Sequence, residues 1–210
     1  MTMGMVFVAR LAASGADAKT VLPTLIAALR DADESVRKIA VNAMLGLGPA
    51  LKTSMPALIE LLQDKDPEVS RSAAQLIGRM GPAGRDAVPA LLDRIKTPVS
   101  GSSSADSVYA DALRRIGPAA VPSLIDAMKS GSIQPPLLIT TLGGIGPEAL
   151  PALVETLRDE QPNVRATVAE ALGQMGPKAA PAVEALSAAL RDKQPEVRAS
   201  SARALAQIGP

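Results

Sequence analysis

Residues 56–82 read PALIELLQDKDPEVSRSAAQLIGRMGP, and this stretch decides the fold. Leu58, Leu61 and Leu62 stand at helical spacing. The polar run Gln63-Asp64-Lys65-Asp66 breaks that helix. A second helix then starts with a strong signal. Asp66 can cap it, Pro67 suits its first position, and Glu68 suits its positive N-terminal end. Gly81 can end it in a left-handed conformation, and Pro82 forbids its continuation. The stretch is therefore one helical hairpin.

Working outward, the same punctuation returns. Gly-Pro occurs at Gly48, Gly81, Gly117, Gly146, Gly176 and Gly209, in steps of 33, 36, 29, 30 and 33 residues. Gly15 lies 33 residues before Gly48 and marks a partial unit, residues 1–15. Val36, Val69, Val164 and Val197 each stand twelve residues before a repeat glycine. Pro23, Pro56 and Pro151 stand thirteen before three of those valines; in the last unit the proline is shifted to Pro181. Leu22, Leu25, Ile26 and Leu29 give unit one its first helix; Val36, Ile39, Ala40, Ala43 and Leu47 stripe its second. Gln161-Pro162 and Gln194-Pro195 repeat the second-helix start with a weaker cap. A large aliphatic residue precedes each repeat glycine (Leu47, Met80, Ile116, Ile145, Met175, Ile208), as a plug between stacked units would. One short hairpin buries too little surface to be stable alone, so the units must stack. The predicted fold is all-α: a single α-solenoid of about six hairpins, with boundaries near 16–48, 49–81, 82–117, 118–146, 147–176 and 177–210.

Composition narrows the function. The chain has 210 residues, is 47% apolar and 20% charged, and carries a net charge of +1, a globular composition. It has no Cys, His or Trp, one Tyr (Tyr109) and one Phe (Phe7). The usual general base, the commonest metal ligand and thiolate sites are missing, so we expect no metal and no cofactor. Balanced charge and scarce aromatics argue against nucleic acid, and no glycine-rich phosphate loop remains once each Gly-Pro is explained by helix ends. Met5–Ala9 is broken by Arg10 and preceded by no positive charge, which is not a signal peptide. The charge-free window Ser130–Pro147 is too polar and broken for a membrane span. The expected location is the cytoplasm, with export left open.

The unit Pro-Ala-Leu, Leu-Arg-Asp, Val-Arg, Ala-Leu-Gly-x-x-Gly-Pro resembles a HEAT repeat, in the short variety of about 30 residues found in bacteria and in phycobilin lyases. The likeness runs from about Val21 to Pro210 and is best in units one, two, five and six. It implies a right-handed superhelix and a first helix kinked by its proline. It also implies a hydrogen-bonded ladder between neighbouring units, built from Asp31/Arg37, Asp159/Arg165 and Asp192/Arg198. A turn carboxylate can indeed satisfy helix-start amides and a neighbour's guanidinium together.

The pattern fails in places. Unit two has Ser70 in the arginine slot, with Arg71 beside it. Unit three has Thr97 and Asp106 in the ladder slots, and a Ser/Gly-rich excess between Thr97 and Ser107. Unit four has Ser130 and Pro135 there, and Thr140, Thr141, Gly143 and Gly144 weaken its second helix. This stretch, 97–147, reads as decayed repeat, with a hinge or docking break as the alternative. Tyr109 falls on the apolar side of its helix.

Read in register, Asn42, Gln75, Asp111, Thr140, Glu170 and Arg203 form one polar row of the second helices. Arg79, Arg115, Gln174 and Gln207 belong to a second row four residues on. By the resemblance, these rows lie on the concave face. The candidate protein-binding residues are Asn42, Gln75, Arg79, Asp111, Arg115, Glu170, Gln174 and Arg203, and Arg71, Arg79 and Arg115 make a modest basic spot. The function expected is a non-catalytic scaffold for a protein partner of unknown identity. The alternative is a phycobilin-lyase-like subunit or tetrapyrrole chaperone, against which the scarcity of aromatics counts. The absence of a polar cap helix at Gly209-Pro210 suggests part of a larger chain or assembly.

Overall fold

The computed structural model describes residues 18–96 and 103–209. The partial unit 1–15 and the Thr97 slot lie outside the described residues, as does the side chain of Asp106. The described chain is helical throughout and contains no strand. Each repeat pairs two helices: α1 (Ala18–Ala28) with α2 (Glu34–Gly46), α3 (Met55–Leu62) with α4 (Pro67–Arg79), and α5 (Val88–Lys96) with α6 (Ser103–Ile116). The series continues with α7 (Val121–Lys129) and α8 (Pro135–Gly143), α9 (Leu150–Thr156) and α10 (Pro162–Gln174), and α11 (Val183–Ala189) and α12 (Pro195–Ile208). This is the all-α solenoid architecture. The chain divides between Arg115 and Ile116 into two compact bodies of three repeats each.

The caps form as the sequence dictates. Asp33 accepts from the Ser35 amide and Asp66 from the Glu68 amide, both at 2.8 Å. Gln161 and Gln194 give no side-chain cap. At the other end Gly48 and Gly176 take φ of 55° and 60°, conformations that a Cβ disfavours. The chain does not then enter a loop. Proline's fixed φ and missing N–H start a 3₁₀ segment instead, at Gly48–Ser54, Gly81–Ala87 and Gly176–Ala182. These segments feed directly into the next repeat's first helix.

The proline of the first helix is a correction to the expected kink. Pro56 and Pro151 occupy the first turn of α3 and α9, where no N–H is needed. Among the described residues only Pro23 lies inside an α-helix, and Pro181 sits in a 3₁₀ segment.

Aliphatic side chains from both helices of each hairpin make the core. Leu58, Leu61 and Leu62 of α3 meet Val69, Ala73 and Ile77 of α4, all buried. Each fully buried leucine contributes about 2 kcal/mol of transfer free energy. In α2 the buried stripe is Val36, Ala40, Val41 and Met44, turned from the expected one; Ile39, Ala43 and Leu47 are half-buried. The plug residues divide likewise: Ile116, Met175 and Ile208 are buried, while Leu47, Met80 and Ile145 are half-buried.

Neighbouring second helices approach backbone to backbone. A Cβ on Gly78 would lie 2.9 Å from Ala112 Cα, and one on Gly173 2.8 Å from Ala204 Cα. These glycines stand three before the repeat glycines and belong to the packing of α4 on α6 and of α10 on α12. Gly143 serves the same contact in repeat four, where its Cβ would meet Ala171 O and Gln174 at 3.1 Å. So α8 forms, though shorter than α4 or α10. Its Thr140 and Thr141 hydroxyls donate back to the Leu137 carbonyl.

Candidate protein-interaction surface

The ladder aspartates lie in the turns between the first and second helices, and the ladder arginines in the first turns of the second helices. Asp31, Asp64, Asp159 and Asp192 each accept, through Oδ1, the amide two residues on, at 2.9–3.0 Å. Arg37, Arg165 and Arg198 reach back six residues and donate Nη1 to the carbonyls of Asp31, Asp159 and Asp192. Each arginine thus binds the main chain of its own repeat's aspartate, not its carboxylate. The bond between repeats runs onward. Arg165 Nε and Nη2 donate to Asp192 Oδ2 and Oδ1, both at 2.8 Å, in a bidentate pair. Lys129 Nζ, 2.7 Å from Asp159 Oδ2, provides the cation that repeat four lacks in its arginine slot.

In the first body the rungs differ. Arg30 takes Asp64 at 3.2 Å, leaving buried Arg37 with Glu68 at 3.7 Å and its Nε without a hydrogen-bond partner. Ser70, fully buried in the next arginine slot, donates to the Leu62 carbonyl at 2.7 Å. It also shares a 2.9 Å hydrogen bond with the Tyr109 hydroxyl. Tyr109 is 3% exposed, with Arg94 5.8 Å above its ring. A serine–tyrosine pair thus replaces the missing rung between repeats two and three.

These contacts shift the carboxylates in one direction. Hydrogen bonds from Arg165 lead in holding Asp192 below the ordinary carboxylate range. At Asp159 burial works the other way, but Lys129 and the Gln161 amide outweigh it, and the group is lowered. Asp64 is lowered mainly by the Asp66 amide, and Asp33 by the Ser35 amide. Asp159 in turn raises Lys129.

The polar rows of the second helices all reach solvent, fully or in part. Several are joined. Arg79 Nη1 donates to Asn42 Oδ1 at 2.9 Å, from repeat two to repeat one. Arg203 Nη2 donates to Glu170 Oε1 at 2.8 Å, and Ser200 Oγ donates to the same oxygen. Asp111 takes Arg114 and Arg115 together, at 2.9 and 2.7 Å. Gln75 and Gln174 are exposed without such a bond; Gln174 lies against Gly143. Two of the three cations of the basic spot have a carboxylate partner, Arg71 in Glu68 and Arg115 in Asp111, whereas Arg79 donates to the neutral Asn42 amide. The register of the rows was legible in the sequence. Their bonds were not, because partners lie 33 to 37 residues apart and depend on how the helices stack.

Among the described residues no three His, Cys, Asp or Glu side chains gather as a metal site. No single described helix is long and apolar enough to cross a membrane; α8 and the 3₁₀ turn with α9 reach that composition together but are bent by 112°.

A profile of HEAT repeats matches residues 22–105 and 137–206, and the chain belongs to that family. Among curated proteins none matches the chain. Among solved structures, the archaeal HEAT-like repeats protein from Thermococcus onnurineus NA1 is similar, at 12% identity and a TM-score of 0.47, over 99% of this chain and 93% of that one. A Kap121p mutant is similar at 15% identity and a TM-score of 0.52, over 93% of this chain and 26% of that one. A designed armadillo repeat protein is similar at 16% identity and a TM-score of 0.41, over 90% of this chain and all of that one. At such identities the likeness is one of fold.

Proposed function

We propose that the chain is a non-catalytic scaffold that binds a protein partner along the polar rows of its second helices, on the concave side of the solenoid. The contacts are Asn42, Gln75, Arg79, Asp111, Arg115, Glu170, Gln174 and Arg203. One observation carries this reading. Exposed polar groups of successive repeats are held in fixed positions by bonds between repeats, as in Arg79–Asn42 and Arg203–Glu170. A row ordered before contact spares the partner much of the entropy of ordering it. The side-chain inventory is in keeping with this reading, because without His or Cys the commonest general base and the thiolate nucleophile are missing. Tetrapyrrole binding draws no support from the groove lined by α9 and α11 or from that lined by α2 and α4, neither of which has an aromatic lining.

The test is affinity capture from lysate of the source organism, with the double variant Glu170→Arg, Arg203→Glu beside the parent chain. The swap keeps an ion pair at the same place and reverses its order, so the fold persists. A protein retained by the parent and lost by the swap is the expected result. A partner held equally by both chains would remove Glu170 and Arg203 from the contact surface.

A further inference from the structure

Gly48 and Gly81 stand 128 residues before Gly176 and Gly209, so repeats one and two align with five and six without a gap. Arg30, Glu60, Gln63 and Asp64 then correspond to Arg158, Ala188, Arg191 and Asp192. In the first pair Arg30 is neutralised by two carboxylates of the next repeat, Asp64 at 3.2 Å and Glu60 at 3.6 Å. In the last pair neither is available. Alanine replaces Glu60, and Asp192 is already held by Arg165. Arg158 is left exposed without an ion pair, and the change from Gln63 to Arg191 adds another cation.

A groove of about 430 Å³ opens at this place, between α9 and α11. Val154, Leu157 and Ala188 give it an apolar lining, and Arg158, Arg191 and Lys193 line it as exposed cations. Its only two carboxylates are spent: Asp159 faces Lys129, and Asp192 faces Arg165. The groove thus carries three cations without a carboxylate of their own beside an apolar strip.

We propose that this groove binds an acidic peptide segment of a protein partner. An aliphatic side chain of that segment covers Val154, Leu157 and Ala188. A carboxylate stands beside Arg158 as Glu60 stands beside Arg30, and further acids meet Arg191 and Lys193. The surface lies on the first-helix side of repeats five and six and does not depend on the polar rows of the second helices.

The test is fluorescence anisotropy on the whole chain, with a labelled peptide Glu-Glu-Leu-Leu-Asp-Glu-Leu-Glu and a counterpart carrying Lys at each acid. Saturable binding of the acidic peptide alone is expected. The Arg158→Glu, Arg191→Glu variant weakens it at least about tenfold, because reversed exposed charges repel what the originals attract. Ala188→Glu supplies the carboxylate that repeat two has at position 60 and weakens binding as much, with helicity and melting unchanged. Ala188→Gln, equal in size but neutral, weakens it less. The Glu170→Arg, Arg203→Glu swap leaves it unaltered. Absence of saturable binding overturns the proposal, as does binding indifferent to Arg158 and Arg191, or equal losses from Gln and Glu at 188. Displacement of the peptide by equimolar inorganic phosphate would point to a small-anion site. Self-association abolished by the same variants would point to a second copy of the chain. Either result also overturns the proposal.

Discussion

Asp192 meets the Gln194 amide and both forks of Arg165, whereas Asp31, at the corresponding place in repeat one, accepts only the Asp33 amide. The two positions therefore differ in what a neutral amide would cost. Asp192→Asn breaks a bidentate charged pair whose side chains are 13% and 15% exposed, and should lower stability by about 1–2 kcal/mol. Asp31→Asn should lower it by less than about 0.5 kcal/mol. Urea midpoints of the two variants check the contrast. The acid limb of stability has its sign set by the same groups. Asp33, Asp64, Asp159 and Asp192 are all lowered in the folded chain. Their stabilisation is complete above the unfolded carboxylate pKa of about 4 and is lost as pH falls through the lower folded values. Melting temperature should drop steeply below about pH 4, and the drop should be shallower in Asp192→Asn. Asp31, Asp159 and Asp192 and their arginines were indicated by the resemblance to HEAT repeats, while Asp64 was not among the pairs it gave. That Arg30 would take Asp64 was not legible, since in repeats five and six the corresponding aspartate, Asp192, is held by Arg165, the counterpart of Arg37.

The helices were legible for a simple reason: apolar stripes at period 3.6 and Gly-Pro stops are properties of consecutive residues. The 3₁₀ starts and the first-turn prolines were missed because a proline after a helix end reads equally as a stop or as a new beginning. Gly173 was visible in the repeated Ala-Leu-Gly but has meaning only against the next helix. Gly173→Ala should cost about 1–3 kcal/mol, since the new Cβ would meet backbone at 2.8 Å. Gly46→Ala, near the end of α2 with nothing within 4 Å, should instead stabilise by up to about 1 kcal/mol. Denaturation of the pair separates helix propensity from close packing. Helix α10 buries Val164, Val168, Ala169, Ala171 and Leu172, while α8 buries only Leu138, Thr141 and Leu142. Amide hydrogen exchange should accordingly be slower in α10 than in α8; equal protection would show that repeat four opens only with its neighbours.

The class of the whole molecule was written in its repeats. The chemistry of its surface was less so, because a pairing such as Arg203 with Glu170 joins separate repeats. Without histidine no side chain of ordinary pKa changes charge between about pH 6 and pH 8. Stability should be flat across that range, as calorimetry at several pH values would register; a slope there would reveal a carboxylate or lysine displaced far from its usual range. The one tyrosine carries a further consequence. Its hydroxyl is bonded to Ser70 across the joint between repeats two and three, and the chain has no tryptophan to outshine or quench it. The protein therefore contains an intrinsic optical probe at a single known seam. Tyrosine emission reports that seam alone, while circular dichroism averages every helix. If the two signals part company during unfolding, the molecule comes undone joint by joint, and if they coincide it lets go all at once.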